Sequence, residues 1–104
     1  MACTITINLT DGQNVMLPFT VNGGVAGTAV PPNDPANITD VKRRIDGGSL
    51  TDPTTVNGLG TPTVTWTVAL PGDLTTDADH TLTIVATDDQ SAQPTSASVT
   101  FHVM

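Results

Sequence analysis

Apolar and polar residues alternate along most of this chain, and the alternation falls into short runs separated by turn-forming residues. Residues 80–103 are the most informative stretch. Leu82, Ile84 and Ala86 share one phase, and Thr81, Thr83, Val85 and Thr87 the other. After a polar gap, Ala97, Val99, Phe101 and Val103 alternate with Ser98, Thr100 and His102. A period of two puts successive side chains on opposite faces of an extended strand. Each run therefore reads as a half-buried strand, and the gap as the turn of an antiparallel hairpin.

Earlier runs follow the same rule. Residues 4–9 place Ile5, Ile7 and Leu9 on one face, and Asp11-Gly12 marks a turn. Residues 14–22 place Val15, Leu17, Phe19 and Val21 together; Pro18, which lacks an N–H, predicts an edge, a bulge or a strand end there. Residues 23–37 are rich in Gly, Pro and Asn and read as a long ordered loop with at most a short strand. Residues 38–45 form a third strong strand, with Arg43 on the same face as Val41 and Ile45. Asp46-Gly47-Gly48 is a tight turn, residues 49–51 begin a short return strand, and residues 52–62 read as loop. Residues 63–70 alternate most cleanly, with Val64, Trp66, Val68 and Leu70 facing one way. Pro71-Gly72 ends that strand, and an acidic loop over 73–79 precedes the closing hairpin. Six or seven strands with regular turns, and no amphipathic helical repeat, predict an all-β sandwich. Leu82, Ile84, Val99 and Phe101 should pack around Trp66.

The length of 104 residues fits one domain, 1–104, large enough to build a core without cross-links. The single cysteine, Cys3, excludes an internal disulfide; it is a bystander or a partner for a neighbouring chain. Threonine, about a fifth of the chain, favours strands over helices. The net charge is -7, every acid is Asp, and all the basic residues stand together at Lys42, Arg43 and Arg44. So acidic a surface argues against tracking nucleic-acid phosphates and against an anionic membrane. Met1-Ala2-Cys3 carries no leader pattern, and no run approaches the length of a membrane span. The expectation is a complete gene product, with a module cut from a longer secreted protein as the alternative.

Val41-Lys-Arg-Arg-Ile-Asp-Gly-Gly-Ser, Trp66 in mid-strand, His80-Thr-Leu-Thr-Ile-Val-Ala-Thr-Asp and Val99-Thr-Phe-His-Val occur here in that order. In order and spacing this series resembles the bacterial immunoglobulin-like domains found in bacterial surface proteins and phage virion proteins. The resemblance spans residues 14–103. It implies an immunoglobulin-like Greek-key sandwich of about seven antiparallel strands, a role in display, spacing or adhesion, and no chemistry. Arg43 departs from the pattern, where an apolar residue would fit the phase better. The loop over 23–37 is also longer than such domains need.

Candidate sites are few. Trp66, Phe19 and Phe101 all lie in core phase, which argues against a sugar-stacking platform. Asp73, Asp77 and Asp79 form the one cluster in which calcium would be sought, although no calcium-loop pattern is met and solvated turn residues are the simpler reading. His80 and His102 should face opposite sides of the closing hairpin, so a shared metal is not expected, and neither has an evident carboxylate orienter. No catalytic or cofactor-binding residue is nominated. Some surface immunoglobulin-like domains carry a buried lysine isopeptide bond; the lone Lys42 lies in polar phase, and an exposed strand laced with ion pairs fits it better. Lys42, Arg43 and Arg44 could dock a carboxylate-bearing protein partner. The plainer alternative is a solvated strand with Arg43 reaching out from the edge of the core. The triplets beginning at Asn8 and Asn37 match a glycosylation pattern and read as chance.

These features point to a non-catalytic structural or binding module on a virion surface, such as a phage capsid decoration or accessory protein. Its partner would be a capsid protein or copies of itself, with neither nucleic acid nor membrane involved. The alternatives are a spacer or adhesion module of a bacterial cell-surface or secreted protein, and a calcium- or carbohydrate-binding accessory domain.

Overall fold

A strand with one apolar face is stable only when that face is covered, and here the cover is a second sheet. The computed structural model describes residues 3–28, 35–91 and 93–104. Its strands are β1 (Cys3–Ile7), β2 (Gln13–Val15), β3 (Thr20–Gly27), β4 (Ile38–Ile45), β5 (Thr55–Asn57), β6 (Thr63–Ala69), β7 (Ala78–Asp88) and β8 (Thr95–Val103). No helix occurs among the described residues. One four-stranded sheet has the order β1-β3-β6-β5 and the other β2-β8-β7-β4. All neighbouring strands are antiparallel except β2 and β8, which run parallel.

The closing hairpin is as expected, with Leu82 opposite Val99 and Ile84 opposite Ala97. The run over 14–22 is not one strand. It breaks at residues 16–19, around a cis Leu17-Pro18 peptide, and its halves join different sheets as β2 and β3. Proline cannot donate to a ladder, so the chain changes sheets there. Residues 23–27, within the expected loop for which a short strand was allowed, complete β3; residues 29–34 of that loop lie outside the described residues. The expected return strand after Gly48 is a single bridge, Arg43 with Thr51. Residues 55–57 of the expected loop form β5 on the opposite sheet. The acidic loop ends earlier than expected, because Ala78 already opens β7. Among the described residues there are eight strands, with about seven expected. In β4 a register shift between Ile38 and Asp40 turns both Ile38 and Val41 inward, although their spacing is odd.

The core is one cluster drawn from both sheets. Val21 and Val25 of β3 and Val64, Trp66 and Val68 of β6 meet Val41 of β4, Leu82, Ile84 and Ala86 of β7, and Val99, Phe101 and Val103 of β8. Every residue expected around Trp66 is there. Trp66 is 1% exposed and is the largest buried side chain. Directly across the ladder from it is Gly23. A Cβ on Gly23 would stand 2.1 Å from the Thr6 carbonyl oxygen and 2.5 Å from Trp66 Cζ2. The glycine is thus required by close approach: the indole and the neighbouring strand β1 occupy the space that any side chain would need.

Gly23→Ala should therefore cost about 3 kcal/mol, the upper part of the usual range for overpacking a core. Equilibrium denaturation checks this, and a loss below about 0.5 kcal/mol, as at an ordinary surface position, would contradict it.

Candidate functional site

The three basic residues all lie on β4, but they do not form one patch. Alternation sends Lys42 and Arg44 outward, while Arg43 points with Val41 and Ile45 toward the core. Arg43 is half-buried, and its Nε is buried without a hydrogen-bond partner. Lys42 bonds Asp52 and lies 3.5 Å from Asp40. The bond to Asp52 comes first among the causes that hold its ammonium above the ordinary lysine range. Asp52 is 80% exposed, so this is a surface ion pair and not the buried environment an isopeptide bond needs. Arg44 is exposed and makes no ion pair among the described residues. Beside it in register come Thr83 of β7 and Ser98 of β8, whose hydroxyls are 2.8 Å apart. β4 is also an edge strand, where charged side chains discourage pairing with a foreign strand.

The aspartates expected to cluster are used separately. Asp73 is exposed in the loop before β7. Asp77 adopts a positive φ of 54°, and its N–H donates to the Val103 carbonyl. Asp79 accepts from or pairs with His102 Nδ1 at 2.8 Å on the outer face. Among the described residues no group of three or more His, Cys or Asp side chains converges as metal ligands. At the other end of the hairpin, Asp88 is 4% exposed, and its Oδ1 accepts the N–H groups of Gln90 and Ser91 at 2.8 and 2.7 Å. Asp89 ties Asn37 through both its backbone and its side chain. The Asn37 amide is thus engaged and half-buried, and Asn8 Nδ2 donates to Asn22 at 2.7 Å.

Each histidine has a carboxylate partner, contrary to expectation. His102 faces outward to Asp79. His80 faces inward, in phase with Leu82 and Ile84, and is 7% exposed. Its Nδ1 is 2.5 Å from Asp46 Oδ2, and its Nε2 is 2.8 Å from the Thr75 carbonyl oxygen. The ring lies 5.9 Å from that of Phe101, tilted by 30°. Asp46 Oδ1 accepts the Thr81 N–H at 2.8 Å. The bond to Asp46, then that to Thr75, push the imidazole pKa up against the opposing effect of burial. Burial pushes the Asp46 carboxyl up, but the bonds from His80 and Thr81 outweigh it and the net direction is down. A sequence signal for this cluster existed. A histidine in core phase must find partners for both ring nitrogens, and the Asp46 turn sits at the matching end of β4.

Cys3 is buried at the start of β1, 5% exposed, and burial pushes its thiol pKa up. A protonated, covered thiol is a poor nucleophile and a poor partner for a neighbouring chain. Trp66 and Phe101 are fully buried and Phe19 is packed against the core, so no aromatic platform faces solvent.

No protein-family model matches the chain, and no curated protein matches it. Among solved structures the chain is similar to part of an endo-beta-1,4-mannanase from Thermotoga petrophila, with a TM-score of 0.57 and 12% identity. The similarity covers 99% of this chain and 19% of the mannanase, so the chain spans about a fifth of that enzyme's length. At this identity the likeness concerns the fold alone.

The acidic residues should separate cleanly on mutation. Asp88→Ala leaves two turn N–H groups without their charged acceptor and should cost about 2 kcal/mol. Asp73→Ala should stay within about 0.5 kcal/mol of the parent. Thermal and urea denaturation of the two variants check this; equal losses would contradict the assignment of Asp88 to the turn.

Proposed function

We propose that the chain is an immunoglobulin-like domain that works without chemistry, as a docking module displayed on a surface, and specifically as an accessory protein of a virion. In immunoglobulin-like domains the first, second, fifth and fourth strands make one sheet and the third, sixth and seventh the other. With the three-residue β2 set aside, the strands here fall as β1, β3, β6, β5 against β4, β7, β8, which is the same order. This match of strand order is the observation that carries the fold reading. The tryptophan differs: Trp66 stands on the fifth of these strands, not on the third as in antibody domains.

The docking reading rests on how the reactive residues are used. His80, His102, Asp46, Asp79, Asp88 and Asp89 are each engaged in bonds that fasten turns or strands. Recognition is left to exposed side chains, and the outer face of β4, β7 and β8 is where the protein offers a cation. Arg44 is its free point of attachment, beside the exposed Ser98, for a partner that presents carboxylates. An acidic chain with one exposed arginine on a sheet face selects its partner by charge complementarity.

A second reading is a spacer module within a longer surface or secreted protein. It is favoured by the similarity to the mannanase, in which a fold of this kind occupies 19% of a larger chain.

Cosedimentation with virus particles tests the first reading, using a virus whose capsid genes neighbour the gene for this protein. The protein should pellet with the particles at low salt, and Arg44→Glu should reduce binding roughly tenfold, since like charges across an interface repel. Rising salt should weaken the parent's binding. Absence of binding by the parent, or recovery of the chain solely within a secreted multidomain protein, would overturn it.

A further inference from the structure

We propose that His80 is a proton-dependent latch that holds the 71–77 loop and the Asp46 turn together at one end of the fold. The argument begins with valence. A neutral imidazole has one N–H to donate and one bare nitrogen that needs a donor. Both ring nitrogens of His80 face oxygen acceptors, the Asp46 carboxylate and the Thr75 carbonyl. Neither acceptor has a hydrogen to give, so only the imidazolium, with two N–H donors, satisfies both.

The surroundings sustain that charge. Asp46 comes from the turn after β4, with a positive φ of 55° that aims its carboxylate back over the sheet. It is anchored on β7, where its N–H donates to the Thr81 carbonyl at 2.9 Å and its Oδ1 accepts the Thr81 N–H. Asp79, next to His80 on β7, adds a second negative charge. From β8 the residue opposite is Phe101, an apolar ring. Asp46 and Asp79 are thus the acidic groups that act on the imidazole among the described residues, and Asp79 is itself paired with His102 of β8 on the outer face.

Loss of the proton removes one of the two bonds. The remaining N–H stays with the carboxylate, where a charge-assisted bond is stronger, and Thr75 is released. Little else holds the loop. Leu74 packs against the core, its N–H lies 3.4 Å from the Pro71 carbonyl, and the Asp77 N–H donates to Val103. Releasing Thr75 lets Leu74 lift from the core that it packs against.

The sign follows from linkage. The pKa of His80 is raised in the fold, so its stabilisation is complete below the ordinary histidine value, about 6.5, and is lost as pH rises through the higher folded value. That of Asp46 is lowered, so its contribution is present above the ordinary aspartate value, about 3.9, and is lost as pH falls through the lower folded value. The latch is therefore closed between the two folded values; it opens as pH rises through that of His80, and again as pH falls through that of Asp46.

Long-range 1H–15N correlation of the intact protein reads the ring directly. At about pH 6.5, where a free histidine is half protonated, both ring nitrogens of His80 should carry hydrogen. As His80 titrates, amide protection over 72–76 should fall roughly tenfold, the scale of one lost bond to a charged group, after correction for base-catalysed exchange. Protection in β6 should not change. His80→Gln should remove the pH dependence of the loop; if that variant does not fold, the parent's own titration still decides. A neutral His80 at that pH, or loop protection that ignores its titration, would overturn the proposal.

Discussion

Trp66 is buried between two sheets, and Gly23 leaves it the room. This pairing sets the rest of the structure. The indole is the largest group in the core, and burying an aromatic or large aliphatic side chain contributes about 1.5–3 kcal/mol. It fits because the residue across the ladder has no side chain and because β1 crosses close behind, with the Thr6 carbonyl against Gly23. β1, β3 and β6 are therefore locked in one register, and the apolar faces of β7 and β8 have a fixed floor to close upon. The indole N–H has no partner in this core, a cost accepted for the area that the ring covers.

With the interior given over to packing, polar side chains act at the margins. Asp88 and Asp89 fasten the end of the fold that holds Asn37, and the Asp46–His80 pair fastens the opposite end. Both ends are tied by residues far apart in sequence, which gives the two-sheet body its coherence. The sheet edges are guarded differently. β2 and β5 are only three residues long, and β4 carries Lys42 and Arg44. Short or charged edges resist pairing with foreign strands. A docking role for Arg44 is compatible with that guard, because it uses the outward side chain and not the backbone edge.

Strands β6, β7 and β8 were legible in the sequence because each has one covered and one open face, and alternation records that directly. The sheet change at Pro18 was half legible: the missing N–H marked a break but not the destination of each half. The second part of β3, residues 23–27, was hidden because glycine carries no phase, and the reason for Gly23 is a tryptophan distant in sequence and adjacent only through cross-strand register. β5 is too short to show a pattern. The inward turn of both Ile38 and Val41 was concealed by the register shift between Ile38 and Asp40. Of the site residues, the separate directions of Lys42, Arg43 and Arg44 followed from alternation. The partnership of His80 with Asp46 was half legible: a histidine in core phase needs partners, but the turn that supplies one lies 34 residues away.

Trp66 is the only tryptophan and the chain has no tyrosine, so its fluorescence reports the closed core without interference. Iodide quenching of native protein, followed through denaturant unfolding, tests the central claim that two sheets close over this side chain. The account predicts blue-shifted emission that iodide does not reach, giving way to exposed, quenchable emission in the same transition that far-UV circular dichroism reports. Native emission quenched as readily as free tryptophan, or a fluorescence transition well before loss of the strands, would contradict it.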